Sequence, residues 1–167
     1  MIARIKKDQI HNWAKTVSGV TTVWMNQRAP RPAIPYVAID IIAGPVKVGH
    51  DNLRQDIPGQ FYVAGMRSFT LSVNVFGNNA NDLAERLVTS LEMPSVQELL
   101  RVSDIAIIDT SDVRVLDLLQ ETDVEGRAQF DFRFATSINR VDNGAGYIET
   151  VEVLNELDNS TVVVDDN

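Results

Sequence analysis

Two stretches of this chain alternate so strictly that each must be a strand with two unlike faces. From Arg67 to Phe76, the residues Phe69, Leu71, Val73 and Val75 fall on one side and Ser68, Thr70, Ser72 and Asn74 on the other. From Glu125 to Ile138, Ala128, Phe130, Phe132 and Phe134 oppose Arg127, Gln129, Asp131 and Arg133. A period of two residues gives a sheet with one core face and one polar face. Because an antiparallel sheet can leave one face in water, the polar faces are expected to be solvated or to meet a partner.

The segments around these strands supply the rest of the organisation. Ile10, Trp13, Ala14 and Val17 recur at helical spacing and Gly19 follows where a helix would stop, which predicts a helix over Lys7 to Ser18. Thr21 to Trp24 is a short β-branched and aromatic run. It leads into Arg28 to Pro35, where Pro30, Pro32 and Pro35 deny ladder hydrogen bonds and give an extended connector. Tyr36 to Ala43 reads as a strand closed by Gly44-Pro45. Val46 to Ala64 has no clear period and reads as a long loop, expected to project or to order against a neighbour. After Phe76, Gly77-Asn78-Asn79-Ala80-Asn81 is turn chemistry with Asn81 as the expected helix cap. Leu83, Ala84, Leu87, Val88 and Leu91 then trace one helical face, and Pro94 restarts a short helix with Val96, Leu99 and Leu100. Ile105 to Ile108 predicts a brief strand, Asp109 to Asp112 a turn, and Val113 to Gln120 is ambiguous between strand and helical turn. Asp142 to Gly146 is a break. Tyr147 to Leu154 reads as an edge strand and Asn155 to Asn167 as an acidic tail or arm.

At 167 residues one domain is long enough to bury about two-thirds of its unfolded surface without a covalent staple. The chain has no Cys, so neither a disulfide framework nor a thiolate metal site is available. Met1 to Gln9 contains no apolar signal core, and no apolar stretch reaches membrane-spanning length, so a soluble, unexported protein is expected. The net charge of -8 argues against a nucleic-acid binder, because phosphate contacts need a basic face.

Chemistry-bearing patterns are sparse. His11 and His50 lie far apart and in no zinc-type spacing; His11 reads as a boundary residue and His50 as a loop residue. The acidic run Asp104, Asp109, Asp112, Asp117, Glu121, Asp123 and Glu125 lacks the alternate oxygens, central Gly and closing Glu of a calcium loop and reads as a solvated edge. No Ser sits in a nucleophile elbow, and Gly144-Ala145-Gly146 lacks the third glycine of a dinucleotide fingerprint. Asn159-Ser160-Thr161 matches a glycosylation sequon but has no secretory signal to give it meaning. No catalytic residue, cofactor or metal is therefore assigned. Glu125 and Arg127, two apart on one strand face, can pair with each other or across to a neighbour.

The succession Pro35-Tyr36-Val37-Ala38-Ile39-Asp40-Ile41, then Arg67 to Gly77 followed by a helix, then Glu125-Gly126-Arg127-Ala128-Gln129-Phe130-Asp131-Phe132, resembles the neck or tail terminator proteins of long-tailed bacteriophages. The likeness runs from about Trp24 to Phe134. It implies an α+β subunit with a mostly antiparallel sheet packed on one side by helices, in one domain over residues 1–154. It also implies a homo-oligomer, a hexameric ring that ends the tail tube and meets tail tube and head-tail connector proteins, in the virion after assembly in the host cytoplasm. An acidic ring lets DNA pass without specific binding. Subunit or tube contacts are expected at Arg28, Arg31, Tyr36, Glu125, Arg127, Gln129 and Arg133, and in the Val46 to Ala64 loop. Two other readings stay open. One is a different tube or connector component of the same particle, and the other is a small acidic enzyme or ligand-binding domain using carboxylates from the 104–125 region.

Overall fold

The computed structural model describes residues 4–25, 30–57, 59–116, 118–120, 123–143, 150–155 and 160–165. The element order is α1 (Arg4–Ser18), β1 (Thr21–Trp24), β2 (Tyr36–Ile57), β3 (Gln60–Phe76), α2 (Ala80–Ser90), α3 (Pro94–Val102), β4 (Ala106–Thr110), β5 (Arg114–Val115), β6 (Leu118–Gln120), β7 (Asp123–Glu125), β8 (Arg127–Asp142), β9 (Thr150–Asn155) and β10 (Ser160–Asp165). The main sheet runs β1-β2-β3-β8-β4, with β5 also on β8. β1 lies parallel to β2, and β4 and β5 pair antiparallel with β8. The fold is α+β, as the resemblance implies.

The chain divides into two compact units: Met1–His50 with Gly65–Ile138, and Asp51–Ala64 with Asn139–Asn167. The first holds the core. Ile10, Trp13 and Ala14 of α1 and Leu83, Ala84 and Leu87 of α2 are buried with Phe69, Leu71, Val73 and Val75 of β3 and with Phe130, Phe132 and Phe134 of β8. These are the apolar sets that the two periodicities select, now packed helix against sheet. Trp13 meets Phe132 edge-on with ring centroids 5.4 Å apart, and its indole N–H donates to Ser90 Oγ at 3.0 Å. The second unit contains the β9–β10 hairpin and a local polar set in which Tyr62 donates to Gln60 and Gln60 to Asn143.

Several boundaries differ from expectation. The segment Val46 to Ala64, expected as a projecting loop, is strand on both sides of a turn at Gly59, because β2 reaches Ile57 and β3 begins at Gln60. Every residue from Ile42 to His50 is exposed, so neither face selects apolar residues and no period is written there. His50 accordingly lies in a strand. The helix cap falls at Asn79 instead of Asn81, and Asn81 bonds to Glu85 one turn on. Arg114–Val115 and Leu118–Gln120 resolve the ambiguous stretch as strand. Glu125 belongs to β7, separated from β8 by Gly126.

Candidate assembly face

On the polar face of the β3–β8 sheet, expected to be solvated or to meet a partner, the row on β3 is covered while the row on β8 stays half-buried to exposed. Ser68, Ser72 and Asn74 of β3 are buried, Asn74 to 2 % exposure. The long side chains of β8 lie across this row. Arg127 Nη2 donates to Asn74 Oδ1 at 2.7 Å and Gln129 Nε2 donates to Ser72 Oγ at 3.0 Å. Asn74 in turn donates to Ser72 Oγ at 3.4 Å. Buried polar groups that answer one another in this way make a rigid layer, because losing one member strands the others without water.

Charge extends the layer outward past β8, on the side where β4 and β5 pair with it. Arg114 donates to Asp131 Oδ2 at 2.9 Å and Arg133 to Asp109 Oδ2 at 2.8 Å, each across neighbouring strands. Ser111 ties the same edge down, receiving the Asp131 N–H on its Oγ at 2.9 Å. Of the acidic run read in the sequence, Asp104, Asp109 and Glu125 pair with separate cations, Lys6, Arg133 and Arg31.

The proline connector closes the other side. Arg31 Nε donates to Tyr36 Oη at 2.9 Å, and Arg31 Nη2 forms an ion pair with Glu125. Its guanidinium stands over the rings of Tyr36 and Phe76 at 5.5 and 5.3 Å, and those rings stack 4.7 Å apart. Arg127 also lies over Phe76, at 5.3 Å. Cations on aromatic faces gain about 0.5–2 kcal/mol, depending on how far they are desolvated. Gly77 and Gly126 make this convergence possible. Gly77 donates to Gly126 O at 2.9 Å, and a Cβ at Gly126 would lie 2.6 Å from Gly77 O. Beside the junction a half-open groove of about 380 Å³ runs between Ile34-Pro35 and the Asp82 to Arg86 turn of α2.

Of the residues expected to make contacts, Arg31, Tyr36, Glu125, Arg127 and Gln129 therefore come together, Arg133 lies further along the same sheet face, and Arg28 is outside the described residues. Glu125 bonds Arg31 while Arg127 bonds Asn74, so neither of these observed bonds joins the two to each other. Asn74, Ser72 and Phe76 complete the cluster. Their alternation had marked the first two as a polar row, but only the register of β3 against β8 shows which side chains cover them.

A second polar knot fixes α1 to the sheet. Asp104 Oδ2 accepts from Lys6 Nζ at 2.7 Å, from Ser137 N at 3.0 Å and from Ser137 Oγ at 2.6 Å, and Thr136 Oγ1 donates to it at 3.0 Å. Burial works to raise the Asp104 carboxyl, but the hydrogen bonds from Lys6, Ser137 and Thr136 outweigh it and hold it down at about 2. His11 is likewise structural, with its Nε2 2.8 Å from Thr22 O. Among the described residues, no group of three or more His, Asp or Glu side chains is placed to hold a metal ion, and no helix is long and apolar enough to cross a membrane.

The architecture is thus a cross-linked polar sheet face backed by an aromatic core. The family model of the phage neck terminator protein matches residues 7–166, nearly the whole chain, and the chain belongs to that family. It is a structural component of the bacteriophage tail and neck. No curated protein matches it.

Proposed function

We propose that the subunit closes into a hexameric ring that caps the tail tube and joins it to the head-side connector, and that it carries out no covalent chemistry. The observation that carries this reading is the polar face itself: Arg31, Glu125, Arg127, Gln129, Asp131 and Arg133 are held in fixed positions by neighbours in the chain. A preorganised surface loses little freedom on contact, so it suits repeated docking of subunit on subunit or ring on tube. Heterologous contacts that close give a finite ring, and a finite ring ends a polymer by geometry alone. The net charge of -8 supports passage of DNA without capture. Assembly takes place in the host cytoplasm before the ring enters the particle.

The test is particle-level localisation by electron microscopy together with the solution mass of the free protein. Density at the junction of tube and connector, and a discrete species of about six subunits, is the expected outcome. Density distributed along the tube would move the assignment to a tube component. Within the face, Glu125→Arg should weaken ring formation, and the swap Arg31→Glu with Glu125→Arg should restore the connector without restoring the original charge pattern. Ring formation unchanged in both variants would remove this face from the contact.

A further inference from the structure

The edge of the main sheet formed by β4 and β5 is interrupted twice. It lies in the first compact unit, and residues 103–116 are all described. Among the described residues, β8 is the only strand paired with either. Ala106 and Ile107 stand opposite Ala135 and Phe134, but Asp109 and Thr110 stand opposite Arg133 and Phe132, so Ile108 is one residue more than β8 supplies. The second interruption follows at once. Between Thr110 and Arg114 the edge has Ser111, Asp112 and Val113, where β8 has only Phe130 and Asp131 between Gln129 and Phe132. There the Ser111 N–H donates to Asp131 O at 2.8 Å, while the Asp131 N–H returns to the Ser111 hydroxyl at 2.9 Å. The edge is left as a strand of five residues and a strand of two.

The residue types on this edge would otherwise favour pairing with another chain. Ile105-Ala106-Ile107-Ile108 is an apolar, β-prone run, and Ile108, Val115 and Leu116 are 43 %, 57 % and 38 % exposed. An exposed apolar edge strand is a template for a further strand. A bulge takes the template away. The extra residue bends the strand and raises its twist, so successive outward N–H and C=O groups fall out of step with a straight partner. Charge acts in the same direction. Asp104 and Asp109 bracket the apolar run, each held by a cation, Lys6 at 2.7 Å and Arg133 at 2.8 Å. Charged residues flanking an apolar strand oppose its self-association.

We infer that these interruptions close the β4–β5 edge to strand addition, so that copies of this chain do not lengthen one another's sheet there and contacts on that side are made by side chains. The inference stands apart from the ring reading, since it concerns how the sheet is kept from growing. Deleting Ile108 makes Ile107 and Asp109 consecutive opposite Phe134 and Arg133 and gives β4 an unbroken ladder. The full-length deletion chain is compared with the parent by sedimentation over a range of concentrations, with thermal unfolding as the check on folding. It should keep a cooperative transition, shift to heavier species as concentration rises, and return to the parent's distribution when Ala106→Lys adds a charge to the exposed edge. A folded deletion chain with the parent's distribution overturns the inference, as does heavier material that Ala106→Lys leaves unchanged. Where the Ile108 deletion does not fold, deletion of the exposed Asp112, reversed by Val115→Lys, decides by the same comparison. If neither deletion chain folds, the irregularities serve the fold and the inference is overturned. The mass of the parent tests the ring separately: a monomeric parent removes the ring and leaves this comparison intact.

Discussion

The two faces of the β3–β8 sheet are buried by different physics. On one, Phe130, Phe132 and Phe134 pack against Trp13, Leu83 and Leu87, and stability follows from apolar area removed from water. On the other, Ser72 and Asn74 are nearly as buried, but under Gln129 and Arg127, which reach them at 3.0 and 2.7 Å. Apolar packing tolerates some change of shape at a cost proportional to the gap, whereas the polar layer fails at single bonds. The difference separates a face that serves as the interior from one that presents a defined pattern of donors, acceptors and charge.

Substitutions can break or sharpen this contrast. The largest effect belongs to the apolar face: Phe132→Ala should lower unfolding free energy by about 3–5 kcal/mol in chemical denaturation, through lost transfer energy and a cavity beside Trp13. Asn74→Ala should cost less, about 1–3 kcal/mol, because it leaves the Arg127 guanidinium without its 2.7 Å acceptor. If it equals Phe132→Ala, the two faces do not differ as described. Replacing Arg127 and Asn74 together should cost less than the sum of the single changes, the mark of a shared bond in a double-mutant cycle.

Asp104 tests a polar knot outside that face. Its folded carboxyl lies at about 2, below the ordinary value of the unfolded chain, so its contribution is complete above the unfolded pKa and disappears as pH falls through the folded one. With its side chain half exposed, screening reduces the contribution to about 1 kcal/mol at neutral pH. Asp104→Asn should therefore be destabilised by that amount near pH 7, and the gap to the parent should close between about pH 4 and pH 2. A gap independent of pH would assign the knot to shape instead of charge. The smallest effect is expected at the exposed pair: Arg133→Ala should change stability by less than about 0.5 kcal/mol while weakening assembly if this end of the face makes contacts.

Legibility from sequence followed the range of the forces involved. The three core Phe residues of β8 and the buried row of β3 were readable because alternation is local and needs no knowledge of what lies opposite. Helix α1 was readable because Gly19 closes it on Lys15 O at 3.0 Å, again a local event. The Val46 to Ala64 segment was not, since its exposed stretch Val46 to His50 and its half-buried stretch Gln60 to Ala64 write no period, and such strands are recognised only through their neighbour in the ladder. Glu125 and Arg127 looked like partners because they are two apart, yet the partner observed for Glu125 is Arg31, 94 residues away.

The amino-acid order by itself thus determined which residues face the core, where helices stop, and that the protein is acidic, free of Cys and without a recognisable catalytic motif. Tertiary structure alone decided that the polar row of β3 is covered, that Arg31 closes over Tyr36 and Phe76, and that Lys6 reaches Asp104 across 98 positions of sequence. Side-chain periodicity is set by the geometry of each strand or helix. The identity of a distant hydrogen-bond partner depends on strand register and on the close approach of Gly77 to Gly126, which exist only once the sheet has formed.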